Sequence, residues 1–404
     1  MSSPSTRVVI AGGGLAGLGL ACLLARAGLE CTVLENNAKS EGADDDPRAL
    51  AITHATRSIL EACGAWSQIP PEKTGYFRGM HVWDENGRGE VSFDSAELCQ
   101  PTLGYIVQQS RVQHALESVV SVLPGVDMRY GSSIENIQWL DEGIEVSVSD
   151  GERISASLLV AADGVNSRCR ELAGIQYPTR DYQQRAVACL VRTALGHDDI
   201  ARQRFLCNGP LAFLPMHEAN QCGVVWSTTP EHANDLLQMD EQQFNNELQE
   251  AFELRLGQVE QSEQRKSFPL LRAQAEHYCL ESLALIGDAA HSVHPLAGQG
   301  ANLGFLDAAS LAQLVLEAHR KNRNIAGRRV LRAYERWRKV ENRTMMMIFE
   351  GFKYTFENQA APIPMLRNQA LDIANSIVPL KHTIMRHAMG LAGDLPEFAK
   401  ANIA

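Results

Sequence analysis

The chain has 404 residues, which is enough for two domains or one large one, each with a hydrophobic core. Hydrophobic residues make up 45% and charged residues 21%, and the mean hydropathy is -0.18, so the chain is neither disordered nor rich in membrane spans. The 37 Lys and Arg against 48 Asp and Glu give a net charge of -11. This charge argues against nucleic acid as a partner and against electrostatic docking on anionic lipid.

Nine cysteines are scattered from Cys22 to Cys279 without a C-x-x-C pair. This pattern fits neither a disulfide framework nor a zinc site, so it predicts a cytoplasmic protein without a metal. Residues 8–25 are uncharged, but five glycines in this run weaken a spanning helix and suit a strand, a turn and a helix instead. We therefore expect no signal peptide and no membrane span.

The chain opens on a predicted β-α-β unit. Residues 8–11 have the pattern of a buried strand, residues 15–27 have helical apolar spacing that ends at Gly28, and residues 31–34 predict a second strand. Three glycines in G-x-G-x-x-G spacing stand between the first strand and the helix: Gly12, Gly14 and Gly17. Their backbone amides can approach a pyrophosphate at the helix N-terminus.

The second strand ends at an acidic residue, Glu35, about twenty residues beyond the glycines. A carboxylate at this position can accept a hydrogen bond from a ribose hydroxyl. Asn36 and Asn37 follow, and neither carries the positive charge that would bind a 2'-phosphate. The pattern therefore favours the ADP half of FAD, or NAD, over NADP.

Later segments interrupt the alternation of strands and helices. Residues 75–94 and 182–225 alternate apolar and polar side chains over short runs, as antiparallel strands do. From Asp307 onward the pattern is mostly helical. We predict a composite nucleotide-binding domain from residues 1–75, 100–178 and 276–345, a substrate domain from 76–99 and 179–275, and a C-terminal helical region over 346–404.

Two further motifs follow apolar strands. Residues 158–162 run into Asp163-Gly164, a pair that by itself is typical of a turn. Residues 283–286 run into Gly287-Asp288, and a Gly-rich loop then leads to another predicted helix. The carboxylate of Asp288 can accept hydrogen bonds from sugar-type hydroxyls beside a helix N-terminus.

The three ordered motifs resemble those of the flavoprotein aromatic hydroxylases related to para-hydroxybenzoate hydroxylase. Residues 46–52 (DPRALAI) and 294–300 (HPLAGQG) are similar to the ubiquinone-biosynthesis branch, which comprises UbiH, UbiF and VisC (UbiI). Residues 79–84, 211–215 and 388–391 are most similar to the VisC (UbiI) type. The resemblance covers nearly the whole chain. It implies an α/β protein with a Rossmann-like FAD-binding domain, an interleaved antiparallel-sheet substrate domain and a helical C-terminal tail.

The resemblance also implies which residues contact FAD. Glu35 would hold the adenosine ribose, Asp288 would bind the ribityl chain, and Asp163 would lie between the flavin and a transient nicotinamide site. Three further side chains would contact the cofactor from a loop and a helix: Arg48, Gln109 and Arg111. A helix end would face the pyrimidine edge of the flavin through four residues: Gly298, Gly300, Ala301 and Asn302.

The implied activity is hydroxylation of a polyprenylated phenol in ubiquinone biosynthesis. In this family NAD(P)H reduces the FAD, molecular oxygen adds to form a flavin hydroperoxide, and the phenol takes the distal oxygen. We find no second Gly fingerprint, so we expect the reductant to bind transiently in the same cleft. Two alternatives stay open: a flavin oxidoreductase of the same fold acting on another aromatic or prenylated compound, and an FAD-stabilised, non-catalytic scaffold of a biosynthetic complex.

Two groups of residues are candidates for the substrate side. His291, His294 and Pro295 flank the proposed flavin loop, where a histidine can assist phenol deprotonation or fix the loop through hydrogen bonds. Four residues of an apolar strand pair are predicted to line the substrate pocket, with core packing as the alternative: Leu211, Phe213, Pro215 and Trp226.

Residues 345–356 are rich in Met and Phe and predict either a packed core helix or an apolar surface for membrane or partner contact. Since the net charge is -11, we expect any membrane contact to be apolar, weak and peripheral, on the inner face of the cell membrane. Other ubiquinone-biosynthesis proteins are the remaining partners that the resemblance implies.

Overall fold

A computed structural model describes residues 7–39, 46–85, 89–293, 299–357 and 378–400. The strands are β1 (Val8–Ala11), β2 (Cys31–Glu35), β3 (Ala49–Ile52), β4 (Gly75–Phe77), β5 (Gly79–Asp84), β6 (Glu90–Asp94), β7 (Gly104–Gln108), β8 (Val126–Tyr130), β9 (Ile134–Trp139), β10 (Ile144–Val148), β11 (Arg153–Ala156), β12 (Leu158–Ala161), β13 (Thr179–Thr193), β14 (Ile200–Leu206), β15 (Gly209–Pro215), β16 (Gln221–Thr228), β17 (Val259–Ser262), β18 (Lys266–Gln274), β19 (Cys279–Leu280), β20 (Leu283–Leu285) and β21 (His291–Ser292). The α-helices are α1 (Leu15–Arg26), α2 (His54–Cys63), α3 (Gln109–Val122), α4 (Arg168–Leu172), α5 (Pro230–Gln238), α6 (Glu241–Ala251), α7 (Gln299–Arg320), α8 (Arg328–Glu357) and α9 (Val378–Ala388).

The first sheet has six strands in the order β19-β20-β12-β1-β2-β8, and all of its pairings are parallel except that of β19. All four residues of β1 and of β12 are buried, as expected for parallel strands covered on both faces. Gly19 allows α1 to approach α7 closely, since a Cβ there would lie 3.1 Å from the ring of Phe305. Because β1, β12 and β20 pair in parallel, their carboxyl ends lie side by side at one edge of the sheet. Ligands of open α/β sheets bind at this edge.

The second sheet is larger and mostly antiparallel, with the order β21-β18-β13-β16-β15-β14-β5-β6 and with β17 paired to β13. Helices α5 and α6 cover one of its faces, where Phe213 and Trp226 pack with Phe244 and Leu248. The opposite face lies toward β3 and β7, since Ala49 and Ile106 pack with Leu214. Because successive side chains on a strand point to opposite faces, each strand contributes some side chains to the core under α5 and α6 and others to the face toward β3 and β7.

Two small sheets complete the β structure, in the orders β11-β10-β9 and β3-β7-β4. The C-terminal region is helical. Tyr334 joins α8 to the first sheet, since its hydroxyl donates to the carbonyl of Leu285 at 2.7 Å. Met385 on α9 and Met389, just after this helix, pack against Leu103. The predicted fold class is confirmed. Among the described helices, none combines the length and the apolar character that crossing a membrane requires.

Candidate active site

The glycine loop after β1 is shaped by close backbone contacts. Gly12 has a φ of 104°, and a Cβ at this residue would lie 2.3 Å from the carbonyl oxygen of Ala162. A Cβ at Gly17 would lie 2.1 Å from the carbonyl oxygen of Gly12. Gly14 differs, since no atom lies within 4 Å of the position that its Cβ would take. Gly12 and Gly17 are therefore required for folding of the loop, whereas Gly14 leaves space for a ligand.

A cavity of about 770 Å³ opens beside this loop, and Glu35 and Asn37 form part of its wall. The carboxylate of Glu35 accepts hydrogen bonds from the backbone N–H of Gly13 at 2.7 Å and from that of Asn37 at 2.8 Å. The loop and the end of β2 thus hold the acid at the cavity wall. Its size and acidic edge suit the adenosine half of a dinucleotide.

A second cavity, of about 450 Å³, lies between the first sheet and the inner face of the large sheet. Arg48, Gln109 and Asp288 line one side, together with Gly300 and Ala301 at the N-terminus of α7. It adjoins the first cavity, because three residues border both: Gly14, Ala162 and Gly164. The two cavities therefore lie side by side, and the N-terminus of α7 borders the second one.

Asp288 follows β20 and is exposed to the second cavity. The surrounding protein desolvates its carboxylate, which raises the pKa of Asp288, although His291 and Arg48 act in the opposite direction. The hydroxyl of Tyr177 donates to the Asp288 carbonyl at 2.8 Å. These contacts hold the carboxylate in position for hydroxyl groups of a ligand.

Arg170 joins the two aspartate motifs and was not singled out from the sequence. Its buried guanidinium donates to the carbonyl oxygens of Val165 at 2.7 Å and Ala289 at 2.9 Å. It also lies over the ring of Tyr177, at 3.7 Å from the ring centre. Three oriented contacts make it a clamp between the loop after β12 and the loop after β20.

Asp163 borders the first cavity, and one of its two carboxylate oxygens accepts a hydrogen bond from the protein. Its Oδ2 accepts from the backbone N–H of Cys169 at 3.0 Å. Its Oδ1 is buried and has no hydrogen-bond partner in the part of the chain that the structure describes. A buried acceptor of this kind needs a partner, which a bound cofactor would supply.

Arg48 and Gln109 lie together at the second cavity, since the Gln109 N–H donates to the carbonyl of Arg48 at 2.9 Å. The Arg48 guanidinium is paired with Asp46 and lies 4.7 Å from the centre of the Phe268 ring. Arg111 lies two residues further along α3, is half-buried, and is not among the residues that border either cavity. The structure therefore brings two of these three predicted contacts to the site.

His291 does not border the cavity, which favours its loop-fixing role over a role in phenol deprotonation. The ring is 1% exposed, and its Nε2 lies 2.5 Å from a carboxylate oxygen of Asp307. The same carboxylate accepts from Arg338 Nε at 2.8 Å and from Asn342 Nδ2 at 3.1 Å. The histidine thus fixes the loop after β20, the second of the two roles considered from the sequence. His294 and Pro295 lie outside the described residues.

Of the four residues predicted at the flavin edge, Gly300 and Ala301 border the cavity, and Gly298 lies outside the described residues. Asn302 is buried, and its amide donates to the carbonyl of Ala51 at 2.8 Å. The side chain of Asn302 therefore ties the start of α7 to β3. Any contact of its backbone with a cofactor stays a prediction.

The predicted substrate pocket is displaced by one residue along each strand. Leu211, Phe213 and Trp226 are at most 3% exposed and pack on the far face of the sheet, against α5 and α6. Pro215 has the same strand parity and is also absent from the cavity wall. The wall is formed instead by side chains that sequence reasoning did not select: Ala186, Ala188, Gln203, Ala212, Leu214, Val225 and Ser227.

The glycine cradle, the orphaned oxygen of Asp163 and the helix N-terminus fit FAD, and the apolar chamber fits an organic substrate beside it. The fold and the site thus define a flavoprotein of the aromatic-hydroxylase type. The profile of the FAD binding domain family matches residues 5–347, and the chain belongs to this family.

Relatives that match nearly the whole chain include several hydroxylases. The chain is 34% identical to 3-demethoxyubiquinol 3-hydroxylase of Escherichia coli, covering 97% of this chain and 100% of that protein. It is 33% identical to the ubiquinone hydroxylase UbiL of Rhodospirillum rubrum, covering 95% and 89%. It is 31% identical to the human mitochondrial ubiquinone biosynthesis monooxygenase COQ6, covering 94% and 92%.

Among solved structures, the fold is similar to that of p-nitrophenol 4-monooxygenase PnpA from Pseudomonas putida, with a TM-score of 0.77 at 22% identity over 96% of this chain and 99% of that one. It is also similar to PqsL from Pseudomonas aeruginosa, with a TM-score of 0.76 at 22% identity over 91% and 99%. These two likenesses support the two-sheet architecture described above.

Proposed function

We propose that the protein is an FAD-dependent monooxygenase that hydroxylates a polyprenylated phenol in ubiquinone biosynthesis, with NAD(P)H and molecular oxygen as co-substrates. The observation that supports the proposal is that the two cavities adjoin, since a largely apolar chamber then lies next to the predicted flavin position. Relatives whose names specify ubiquinone hydroxylation support the substrate class.

Several residues would hold the cofactor. Glu35 would bind the ribose of adenosine, Asp288 would bind the ribityl chain, and Arg48 and Gln109 would contact the isoalloxazine side. When bound, FAD carries electrons from NAD(P)H and delivers one oxygen atom of O2 to the aromatic ring. The N-terminus of α7 would stabilise negative charge at that end of the cavity through first-turn N–H groups, which have no acceptor within the helix.

The sheet wall excludes water from the reacting ring. Ala188, Ala212 and Val225 are cross-strand neighbours on adjacent strands, and together they form a flat apolar surface. Their small side chains leave room for a ring next to the flavin position. Dry surroundings limit the loss of activated oxygen as hydrogen peroxide, which is the side reaction that such an enzyme must suppress.

Gln203 is the polar exception in this wall. It pairs in register with Ala212, is 6% exposed and borders the cavity. An amide can both donate and accept a hydrogen bond, so it suits an oxygen substituent of a phenol. We therefore assign Gln203 the role of orienting the ring toward the flavin.

The decisive experiment is product analysis after oxygen-dependent turnover on a series of prenylphenols. We expect substrate-stimulated NAD(P)H oxidation and one added oxygen atom in the product, by mass spectrometry with labelled O2. A scaffold protein would bind FAD but show no stimulation. Oxidation without oxygen transfer to any phenol would indicate a flavin oxidoreductase with another substrate.

Substitution of Gln203→Leu tests the orienting role. We expect the fraction of NAD(P)H that yields hydrogen peroxide to rise and kcat/KM to fall about tenfold or more, since a buried hydrogen bond to the substrate is lost. Gln261→Leu on the edge strand β17 makes the same chemical change at an exposed position and serves as the control. An equal fraction of NAD(P)H lost as hydrogen peroxide in the two variants would remove Gln203 from the site.

A further inference from the structure

One segment of this acidic protein is strongly basic. Between residues 320 and 343 the chain has ten Lys or Arg and only two Glu, although the whole protein has a net charge of -11. The segment comprises the last residue of α7, the connecting turn and the first half of α8. Not all of this surplus of eight positive charges reaches the surface, because Arg338 is buried against Asp307 and Lys321 pairs with Glu317. The remaining surface is still locally basic, because salt screens acidic groups that lie more than about 8 Å away.

Four of these arginines occupy one side of α8. They follow one another at three-, four- and seven-residue intervals, which places them on one helical face: Arg329, Arg332, Arg336 and Arg343. All four are exposed, and none pairs with a carboxylate among the described residues. Arg338 lies on the opposite face and is engaged with buried Asp307. In the part of the chain that the structure describes, the four outer guanidinium groups have no such carboxylate partner.

Exposed apolar side chains continue the same face. Val340 is 61% exposed and Met347 is 52% exposed, and both fall at helical spacing from Arg336 and Arg343. Ile348, beside Met347, is 41% exposed. The face extends over nineteen residues from Arg329 to Met347, or about 27 Å at the rise of an α-helix. It therefore offers cations and apolar groups along one line rather than in one pocket.

The inner side of α8 leads toward the candidate active site. Met345 packs on a small cluster that contains Val82 and Phe205. Val293, which borders the second cavity, packs on the same cluster. The helix thus has its basic and apolar face outside and a wall of the substrate chamber close behind it.

We propose that the outer face of α8, formed by Arg329, Arg332, Arg336, Val340, Arg343 and Met347, docks the protein on an anionic lipid surface. This inference rests on the proposed function, in which a lipid-soluble phenol must reach the cavity. Arginines attract negatively charged headgroups, and Val340 and Met347 enter the boundary with the acyl chains. An acidic protein would satisfy the arginines alone, so the interleaved apolar groups favour lipid.

The surface differs from the one expected from the sequence. The sequence predicts either a packed core helix or an apolar contact surface over residues 345–356, and Met346, which is 3% exposed, belongs to the interior. Side chains of Phe349 and Phe352 are outside the described part of the chain. The docking face that we propose begins earlier on α8 and combines charge with apolar area.

Vesicle co-sedimentation of the full-length, FAD-loaded protein tests the proposal. Vesicles of phosphatidylcholine alone are compared with an equal mixture of phosphatidylcholine and phosphatidylglycerol. The test variant carries Arg329→Gln, Arg332→Gln, Arg336→Gln and Arg343→Gln. The control carries the same charge change at exposed positions elsewhere: Lys73→Gln, Arg153→Gln, Arg180→Gln and Lys400→Gln.

We expect the unmodified protein to bind the anionic vesicles, with affinity that falls as salt is added, and the test variant to lose about tenfold or more of that affinity. The affinity of the control variant for these vesicles should stay within about twofold of that of the unmodified protein. Equal binding by the test variant and the unmodified protein would overturn the proposal. So would a loss of self-association in the test variant, measured by sedimentation velocity, without any vesicle binding by the unmodified protein.

Turnover of a short-tailed, water-soluble phenol separates this inference from the proposed function. The test variant should oxidise that phenol at the unmodified rate while losing turnover of a long-tailed phenol presented in anionic vesicles. If the unmodified protein hydroxylates no phenol, the proposed function fails whatever the vesicle result. If hydroxylation is intact and vesicle binding is absent, only the docking face is wrong.

Discussion

At Gly12 and Gly14 the same substitution is expected to have different consequences. Gly12→Ala places a Cβ in a left-handed conformation against the carbonyl of Ala162, and we expect a loss of about 2–4 kcal/mol in the free energy of unfolding. Gly14→Ala meets no protein atom within 4 Å, so its stability should be nearly unchanged while its FAD affinity falls. Chemical denaturation and fluorescence titration with FAD measure the two quantities. Unchanged FAD affinity in Gly14→Ala would mean that the open space at this residue is not the cofactor cradle.

Asp307 contributes stability that depends on pH. Burial by itself would raise its pKa, but His291 and Arg338 outweigh burial and hold the pKa at about 2, below the ordinary value of 3.8. A depressed pKa in the folded state stabilises the protein above the unfolded-state pKa, and this stabilisation is lost as the pH falls toward the folded-state pKa. The network should therefore weaken in acid rather than in base.

Substitution of Asp307→Asn checks this dependence. It leaves Arg338 buried without its carboxylate, so we expect a loss of about 3–5 kcal/mol near neutral pH. The difference in unfolding free energy from the unmodified protein should narrow between about pH 4 and about pH 2, where Asp307 itself becomes protonated. Urea denaturation at a series of pH values measures it. Asp235→Asn, on the exposed side of α5, is the control, and a pH-independent difference at Asp307 would contradict the prediction.

At the scale of elements, alternate residues of β15 have different roles: one set packs in the core and the other lines the cavity. Phe213 stacks on Phe252 with ring centres 3.9 Å apart, so Phe213→Ala should cost about 3–5 kcal/mol of stability. Ala212→Leu projects into the cavity instead. We expect it to fold normally and to lose turnover by filling the chamber. Thermal denaturation and steady-state kinetics check both variants, and the reverse pattern would mean that the two faces of the strand are assigned wrongly.

The alternation in β15 was visible in the sequence, but its orientation was not. A period of two shows that successive residues point to opposite faces. It does not show which face meets α5 and α6 and which meets the flavin side, because both faces carry apolar residues. Ala212 and Leu214 are as hydrophobic as a core requires, so composition favoured the larger Phe213 and Trp226 as the pocket. Only the packing of α6 on the sheet decided the matter.

At the scale of the whole molecule, FAD is expected to join the two sheets into one stable unit. A ligand that binds only the folded state raises the melting temperature, and the stabilisation grows with the logarithm of the ligand concentration relative to its Kd. Asp288→Ala should weaken FAD binding by about ten- to hundredfold and reduce this rise, since it removes a charged hydrogen-bond acceptor. Glu260→Ala on β17 removes an exposed carboxylate and is the control. An unchanged FAD affinity would remove Asp288 from the site.

The sequence by itself determined the β-α-β opening, the glycine cradle, Glu35, the two aspartate motifs and the family, because these features depend on local backbone geometry and on spacing along the chain. The tertiary structure decided that His291 faces Asp307 rather than substrate, that Gln203 enters the chamber, and that Arg170 joins two loops distant in sequence. Each of these outcomes depends on residues more than fifteen positions apart that meet only after the sheets have packed. Linear patterns show which face a side chain shares with its neighbours, and long-range packing determines what that face contacts.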